Sequence, residues 1–316
     1  MKNNSDIKNG IRYILCESEF EFIDYLRPTN DLWKPDPMGW IFRGQANSRW
    51  ELIPKVFRKK TKISFTEESV EGPDKDIHQQ IKYEWDLLYN FFWLSDEIGL
   101  QIPGDDIIFR DINATKYEID KSIDDLSWPH PKIIETMALA QHHGVPTRLL
   151  DFTRTGLIAA FFAGFWSLEI DIDDEKNELG VDYSKNGLCV WALARELKHF
   201  SNNRIKELTV PRVGNKFLHS QNGLFLNDQN VNSFWKENNT YPALENVVSS
   251  LASHIDTSTR KYIAVKLILP FRFRHDLLRA LRMERITMAH LMPSYDIVAK
   301  TLEWQRDKKV LFLNFN

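Results

Sequence analysis

The sequence contains few cysteines and no long apolar run. Only Cys16 and Cys189 occur among 316 residues, which argues against a disulfide framework or a zinc knuckle and is typical of a reducing compartment. No apolar stretch approaches the roughly 18 residues that a membrane span requires, and the N-terminal residues lack the apolar core of a signal peptide. We therefore predict a cytoplasmic protein without a membrane partner.

Several familiar active-site motifs are also missing. The chain has no GxGxxG, Walker A or GxSxG sequence, which argues against Rossmann, P-loop and α/β-hydrolase chemistry. It has no HExxH, CxxC or EF-hand pattern either, so we predict no metal site. The net charge is only −3, so no global basic field indicates nucleic-acid binding, although a local basic groove is compatible with this charge.

Apolar periodicity predicts a mixture of helices and strands. We expect helices at 19–26, 77–94, 133–140, 156–168, 241–252, 273–283 and 295–302. Strands are expected at 40–44, 187–193 and 262–269, with weaker candidates at 50–53 and 310–315. Residues 208–212 and 217–226 are expected to flank a loop or to form a second pair of strands, and residues 99–131 are expected to be irregular. Because strands and helices do not alternate regularly, the pattern predicts an α+β fold rather than a doubly wound sheet. The length of 316 residues allows one large domain or two ordinary ones.

The segment from Ala138 to Thr153 is the richest in potential chemistry. Gly144 and Pro146 end the helix that precedes them and place the following residues at an element boundary, where functional groups are often held. Five polar residues of different types cluster around this boundary, which predicts a functional site: His142, His143, Thr147, Arg148 and Asp151.

The two histidines and the aspartate each have a structural alternative. Side chains of adjacent helical residues point about 100° apart, so His142 and His143 are not expected to bind one metal ion. One of them can act as a general base or hydrogen-bond donor, and the other can cap the helix C-terminus. Asp151 can orient a histidine or Arg148, or it can cap the helix that follows.

A second candidate group surrounds Arg43. The Arg43 guanidinium can bind two oxygens of a phosphate or carboxylate at once; the alternative is a structural pair with a nearby carboxylate. Gly44 allows a close approach by backbone or ligand, and Gln45 adds an amide. Gln221 can present its amide to a base or ribose, although turn chemistry also explains its segment. The Trp and Phe residues lie mostly in apolar runs, which favours core packing over base stacking.

The order of these motifs resembles the FRG domain family. Phe42-Arg43-Gly44-Gln45 resembles the motif that names the family, and the segment from Gln141 to Thr153 resembles its longest signature. The residues from Gln221 to Phe225, and then those from Ile286 to Ala299, are similar to two later signatures. On this basis we expect an N-terminal helical segment at 1–30, an FRG domain at 31–305 and a C-terminal strand or tail at 306–316.

The resemblance implies an α+β fold of ADP-ribosyltransferase-like type, in which helices surround mixed central sheets in a single large domain. It also implies NAD as the substrate. A strand-borne Arg holds NAD in that superfamily, which implies cofactor binding by Arg43, Gly44 and Gln45 together with Thr147 and Arg148. It implies catalytic roles for four further residues, namely His142, His143, Asp151 and Gln221. In that superfamily a Glu or Gln late in the sequence commonly assists the transfer. We assign no catalytic Glu to this chain, because Glu284 lies close to the last signature but fits no motif.

The family also occurs among prokaryotic defence and toxin-like genes. The resemblance thus implies a toxin or antiphage effector that modifies a protein or nucleic-acid acceptor, with a neutralising antitoxin protein as a possible partner. Two alternatives stay open at this point. One is a non-catalytic module that senses a nucleotide or phage component, and the other is an NAD glycohydrolase.

Overall fold

A computed structural model of the chain has a mixed sheet of eight strands at its centre. The structure describes residues 5–34, 36–58, 76–170, 186–209, 222–252 and 261–307. The strand order across the sheet is β1-β2-β8-β5-β3-β4-β7-β6, and β2 with β8 is the parallel pair among antiparallel ones in this part of the chain. The strands are β1 Ser5–Lys8, β2 Ile11–Leu15, β3 Trp40–Gln45, β4 Leu150–Thr153, β5 Gly187–Ala194, β6 Ile205–Leu208, β7 Gly223–Asp228 and β8 Ala264–Pro270.

Helices surround this sheet, as the α+β prediction requires. They are α1 Glu19–Leu26, α2 Ile77–Glu97, α3 Ile107–Arg110, α4 Ile112–Asp124, α5 Ile134–His142, α6 Gly156–Ser167, α7 Leu197–Phe200, α8 Val231–Asn238, α9 Leu244–Leu251, α10 Arg274–Met283, α11 Met288–Leu291 and α12 Tyr295–Asp307. The prediction of α1 is confirmed to the residue, with Ser18 as its N-cap. In the described part of the chain no helix is long and apolar enough to cross a membrane.

The central strands are buried because their sequences are apolar on both faces. Every residue of β5 is buried, which is typical of a strand covered on both sides. Helix α6 packs on this region and approaches β3 closely through its small residues. A Cβ atom added to Gly44 in β3 would lie 2.0 Å from the carbonyl oxygen of Ala159 in α6. Gly44 is therefore required for the contact between the strand and this helix.

A second apolar core lies under α2, α5 and α8. Trp85 of α2 and Trp235 of α8 are fully buried there, and Phe57 and Tyr241 pack with them. Val56 and Phe57 belong to a short 3-10 turn, Lys55–Phe57, and anchor that turn in this core. Leu150 and Phe152 of β4 belong to the first core, and the turn belongs to the second.

The sheet is almost divided between β3 and β4. Strand β3 pairs with β5 along its whole length, and β4 pairs with β7 along its whole length. In contrast, β3 and β4 pair at one position, Phe42 with Thr153, and separate beyond it. This separation leaves a gap at the ends of two strands that carry predicted site residues.

Three parts of the sequence-based prediction were wrong. Residues 99–131, expected to be irregular, contain α3 and α4, because side-chain caps from Asp106 and Asp111 start helices with little apolar periodicity. Residues 50–53 form no strand. Strands β1 and β2 were not predicted, since they are short and carry mixed polarity. The expected strand at 310–315 lies outside the described residues.

The Gly44 contact gives a direct stability test. Gly44→Ala forces a methyl group into the α6 backbone, so the free energy of unfolding should fall by at least about 3 kcal/mol in urea denaturation. Gly164→Ala is the matched control, because its added Cβ would meet flexible leucine side chains at 3.2 Å or more. A loss in Gly44→Ala no larger than that in the control would contradict the packing described here.

Candidate functional site

A cleft of about 690 Å³ opens where β3 and β4 separate. Its walls are the ends of these two strands, the turn at Lys55–Phe57, the C-terminus of α5 and one side of α6. Arg43 and His142, which are far apart in the sequence, both line it, together with Gly44, Gln45 and Asp151. The fold thus gathers residues from the two richest motifs of the sequence around one cavity.

Arg43 and Asp151 connect the two strands across the gap. Arg43 Nη1 donates a hydrogen bond to the main-chain oxygen of Asp151 at 2.8 Å and lies 3.6 Å from its carboxylate Oδ2. The Arg43 side chain is 13% exposed, whereas that of Asp151 is 60% exposed. Burial lowers the pKa of Arg43 and the neighbouring Asp151 opposes that shift. The carboxylate therefore faces the cleft while its partner is largely enclosed.

The Asp151 carboxylate is also held from a second direction. Gln141 Nε2 donates to Asp151 Oδ1 at 2.6 Å, and Gln141 Oε1 accepts a hydrogen bond from Thr147 Oγ1. Thr147 is buried and accepts in turn from the backbone N–H of Leu149. Thr147 therefore contacts Asp151 only through Gln141 and orients its amide. Gln141 was not among the site residues predicted from the sequence. Asp151 does not cap α6, because the N-cap of that helix is Thr155.

The two histidines have different positions. His142 is the last residue of α5 and lines the cleft, whereas His143 is the C-cap of α5 and is not part of the cleft wall. Their rings lie 5.4 Å apart and almost perpendicular. Burial lowers the pKa of His142, and His143 lowers it further while Asp151 opposes both effects. The cleft histidine is thus mainly neutral at neutral pH and able to accept a proton.

Two cations that the sequence analysis missed come from the 3-10 turn. Lys55 and Arg58 both line the cleft. Lys55 Nζ donates to the main-chain oxygen of Gly144 at 2.7 Å, and Arg58 Nε donates to that of Ile53 at 3.0 Å. No motif contains these two residues, and only the fold brings them to Arg43.

Aromatic rings and a second carboxylate complete the described wall. Trp50 and Trp166 line the cleft and are about half exposed, at 47% and 52%, so core packing does not explain them. Glu169, which follows α6, also lines the cleft. It was not a candidate in the sequence, where only Glu284 was considered for a late carboxylate. Glu284 instead forms an ion pair with Arg27.

Gly44 and Gln45 line the cleft, and contacts within the protein fix the positions of both residues. The Gln45 amide is buried and donates to the Glu51 main-chain oxygen, while its oxygen accepts from Trp191 Nε1 at 3.0 Å. Gly44 is held by its contact with Ala159. Both residues shape the wall, and their predicted binding of NAD stays a prediction. Gln221 lies outside the described residues.

Arg148 is not part of the cleft wall. It is 2% exposed and forms a two-fold contact with Glu84 of α2, at 2.8 and 2.9 Å. Its Nη1 also donates to Asn232 Oδ1 and to the main-chain oxygen of Trp128. These contacts join α2, α8 and the start of β4, so the position of Arg148 supports a structural role rather than the predicted binding of NAD. Within the described residues no His, Cys, Asp or Glu cluster could hold a metal ion.

The comparison with protein families found a match over part of the chain. A family model of the FRG domain matches residues 105–167. The match runs from before α3 to the end of α6 and contains His142 and Asp151, so it supports the resemblance to the FRG domain family. Arg43 and Gln221 lie outside the FRG match. No curated protein and no solved structure matches the chain.

The assignment of Arg148 to the core predicts a large loss of stability on its removal. Arg148→Ala leaves the Glu84 carboxylate buried without its cation, which should lower the free energy of unfolding by about 3–5 kcal/mol. Arg279→Ala is the control, since Arg279 pairs with Asp276 at an exposed position and should cost at most about 1 kcal/mol. Chemical denaturation measures both, and equal losses would contradict the assignment.

The position of His142 predicts its titration. Its imidazole should titrate below the usual value of about 6.5 in NMR spectra, with the signal assigned by its loss in His142→Gln. Because the folded-state pKa is lowered, the stability linked to this group is complete above about pH 6.5 and decreases as the pH falls through the folded-state pKa. The stability of the wild type should therefore fall more steeply than that of His142→Gln in this acid range. A midpoint at or above 6.5 would contradict the burial of this ring.

Proposed function

We propose that the chain is an NAD-dependent ADP-ribosyltransferase whose reaction takes place in the cleft between β3 and β4. The observation that carries the proposal is the exposed Asp151 carboxylate, which Arg43 and Gln141 fix at the gap between the strands. A carboxylate held in this way stabilises positive charge that develops on a substrate beside it.

The chemistry of the cleft wall fits the parts of NAD. Arg43, Lys55 and Arg58 provide cations for phosphate oxygens. Trp50 and Trp166 offer exposed aromatic surfaces against which a flat heterocyclic ring can stack. The single residue pair between β3 and β4, with the cleft beside it, is also compatible with the ADP-ribosyltransferase-like arrangement of mixed sheets implied by the family resemblance.

The residues of the cleft can divide the work of the transfer. Breaking the bond between nicotinamide and the ribose C1 places positive charge on the ribose, and Asp151 is positioned to stabilise it. The acceptor nucleophile then forms a bond to C1 and loses a proton, which neutral His142 can take. Nicotinamide leaves with the electron pair of the broken bond, so the charges and atoms balance.

The FRG match motivates the biological part of the proposal. We extend it to a toxin or antiphage effector that modifies a protein or nucleic-acid acceptor and is neutralised by a partner protein. The cations of the cleft are compatible with either acceptor class, despite the net charge of −3.

One observation favours a non-catalytic nucleotide-binding module as a second candidate. Both carboxylate oxygens of Asp151 have partners, Arg43 and Gln141, and the neighbouring cation reduces the negative charge that Asp151 offers to a substrate. Such a module would gain stability when a nucleotide binds but would consume no NAD.

Turnover of labelled NAD separates these functions. The protein is incubated with cell lysate and NAD labelled in its adenylate part, and both incorporated label and released nicotinamide are measured. Asp151→Asn should reduce both signals by about 100-fold or more, since the amide keeps the shape of the carboxylate but not its charge. The control is Asp120→Asn on the exposed side of α4.

Each outcome of this experiment has a distinct meaning. Incorporated label that depends on Asp151 supports the transferase, whereas nicotinamide release with only free ADP-ribose indicates an NAD glycohydrolase. Absence of both signals in the wild type would overturn the enzymatic proposal and leave the binding module.

A further inference from the structure

The turn at Lys55–Phe57 presents two cations on one side. A 3-10 helix has three residues per turn, so residues i and i+3 lie on the same side. The N–H of Arg58 donates to the main-chain oxygen of Lys55 at 3.2 Å and continues this geometry. Lys55 and Arg58 therefore both reach the cleft, while Val56 and Phe57 between them point into the second core.

The turn is held rigidly in this orientation. The Phe57 ring stacks on Tyr241 and contacts Trp235 edge-on, with both ring centroids 5.4 Å away. The backbone N–H of Val56 donates to the main-chain oxygen of Thr147 at 3.3 Å. The backbone positions of Lys55 and Arg58 are consequently set by the folded core, and a bound anion need not order the turn.

The cations of this wall repel one another. Burial lowers the pKa of Arg58 to about 10, and the charge of the nearby Arg43 is the second cause of this shift. Burial and then Arg58 lower the pKa of Lys55. Asp151 is the carboxylate that opposes the shift of each of the three cations, so the three positive groups share this carboxylate. A bound anion would relieve this repulsion.

We propose that Lys55, Arg58 and Arg43 form a subsite that binds the diphosphate group of a nucleotide. A diphosphate carries several oxygens and at least two negative charges, whereas a ligand carboxylate carries one charge. A diphosphate is therefore the better match for three cations that reach the cleft from β3 and from the turn. The Nε of Arg43 is buried and has no hydrogen-bond partner among the described residues, so the guanidinium keeps unused hydrogen-bonding capacity. The subsite deepens the proposed function, because NAD contains such a diphosphate, and it rests on that function only for the identity of the natural ligand.

Binding of simple nucleotides tests the subsite without any turnover. Titration calorimetry compares ADP, NAD, adenosine and inorganic pyrophosphate on the wild type and on Lys55→Gln/Arg58→Gln. The double variant should bind ADP and NAD about tenfold or more weakly, since each charged hydrogen bond contributes on the order of one such factor. Its affinity for adenosine should equal that of the wild type, and its affinity for inorganic pyrophosphate should fall by a factor similar to that for ADP.

The control removes the same charges elsewhere. Lys34→Gln/Arg279→Gln eliminates two exposed ion-paired cations outside the cleft and should leave the ADP affinity unchanged. Thermal unfolding of both double variants establishes that they are folded before they are titrated.

The failure of this subsite can be told from the failure of the proposed function. Equal ADP affinity in Lys55→Gln/Arg58→Gln and the wild type, or no binding of ADP or pyrophosphate to the wild type, would overturn the subsite even if NAD were consumed. Charge-dependent ADP binding without NAD consumption would support the subsite and overturn the transferase.

Discussion

The cleft depends on how the two parts of the sheet meet. Strands β3 and β4 share one residue pair, Phe42 with Thr153, and α6 packs against β3 so closely that position 44 has no room for a Cβ atom. Longer pairing would close the gap between the strands and bury Arg43 and Asp151 in a continuous sheet. Since the pairing is limited, the Arg43 guanidinium takes the place of the missing ladder and donates to the Asp151 main-chain oxygen across the gap.

The charges of the site follow from this geometry. The strands bring one enclosed arginine and one exposed carboxylate together, and the turn anchored by Val56 and Phe57 adds Lys55 and Arg58. The proposed reaction requires opposite charges in one cavity, for phosphate binding and for stabilisation of a positively charged ribose, and the cleft contains both. The buried pair of Arg148 and Glu84 contributes differently, because it holds the start of β4 against the helices below.

Much of the fold was predictable where the sequence pattern is local. Strand β3 and helix α6 follow from apolar runs. The end of α5 follows from the glycine at position 144, which adopts a φ of +92° in the structure. The sequence also pointed to Arg43, His142 and Asp151, which the structure places at one cleft. It could not separate Arg148 from them, because burial depends on the distant Glu84. Lys55, Arg58 and Glu169 carried no motif and join the site through tertiary packing alone.

The most direct test is a crystal structure of the protein soaked with NAD. We expect NAD to lie between β3 and β4, with its diphosphate at Arg43, Lys55 and Arg58 and its nicotinamide-bearing ribose beside Asp151. Density for NAD at another surface, with the cleft free of it, would contradict the central claim that this gap in the sheet is the functional site.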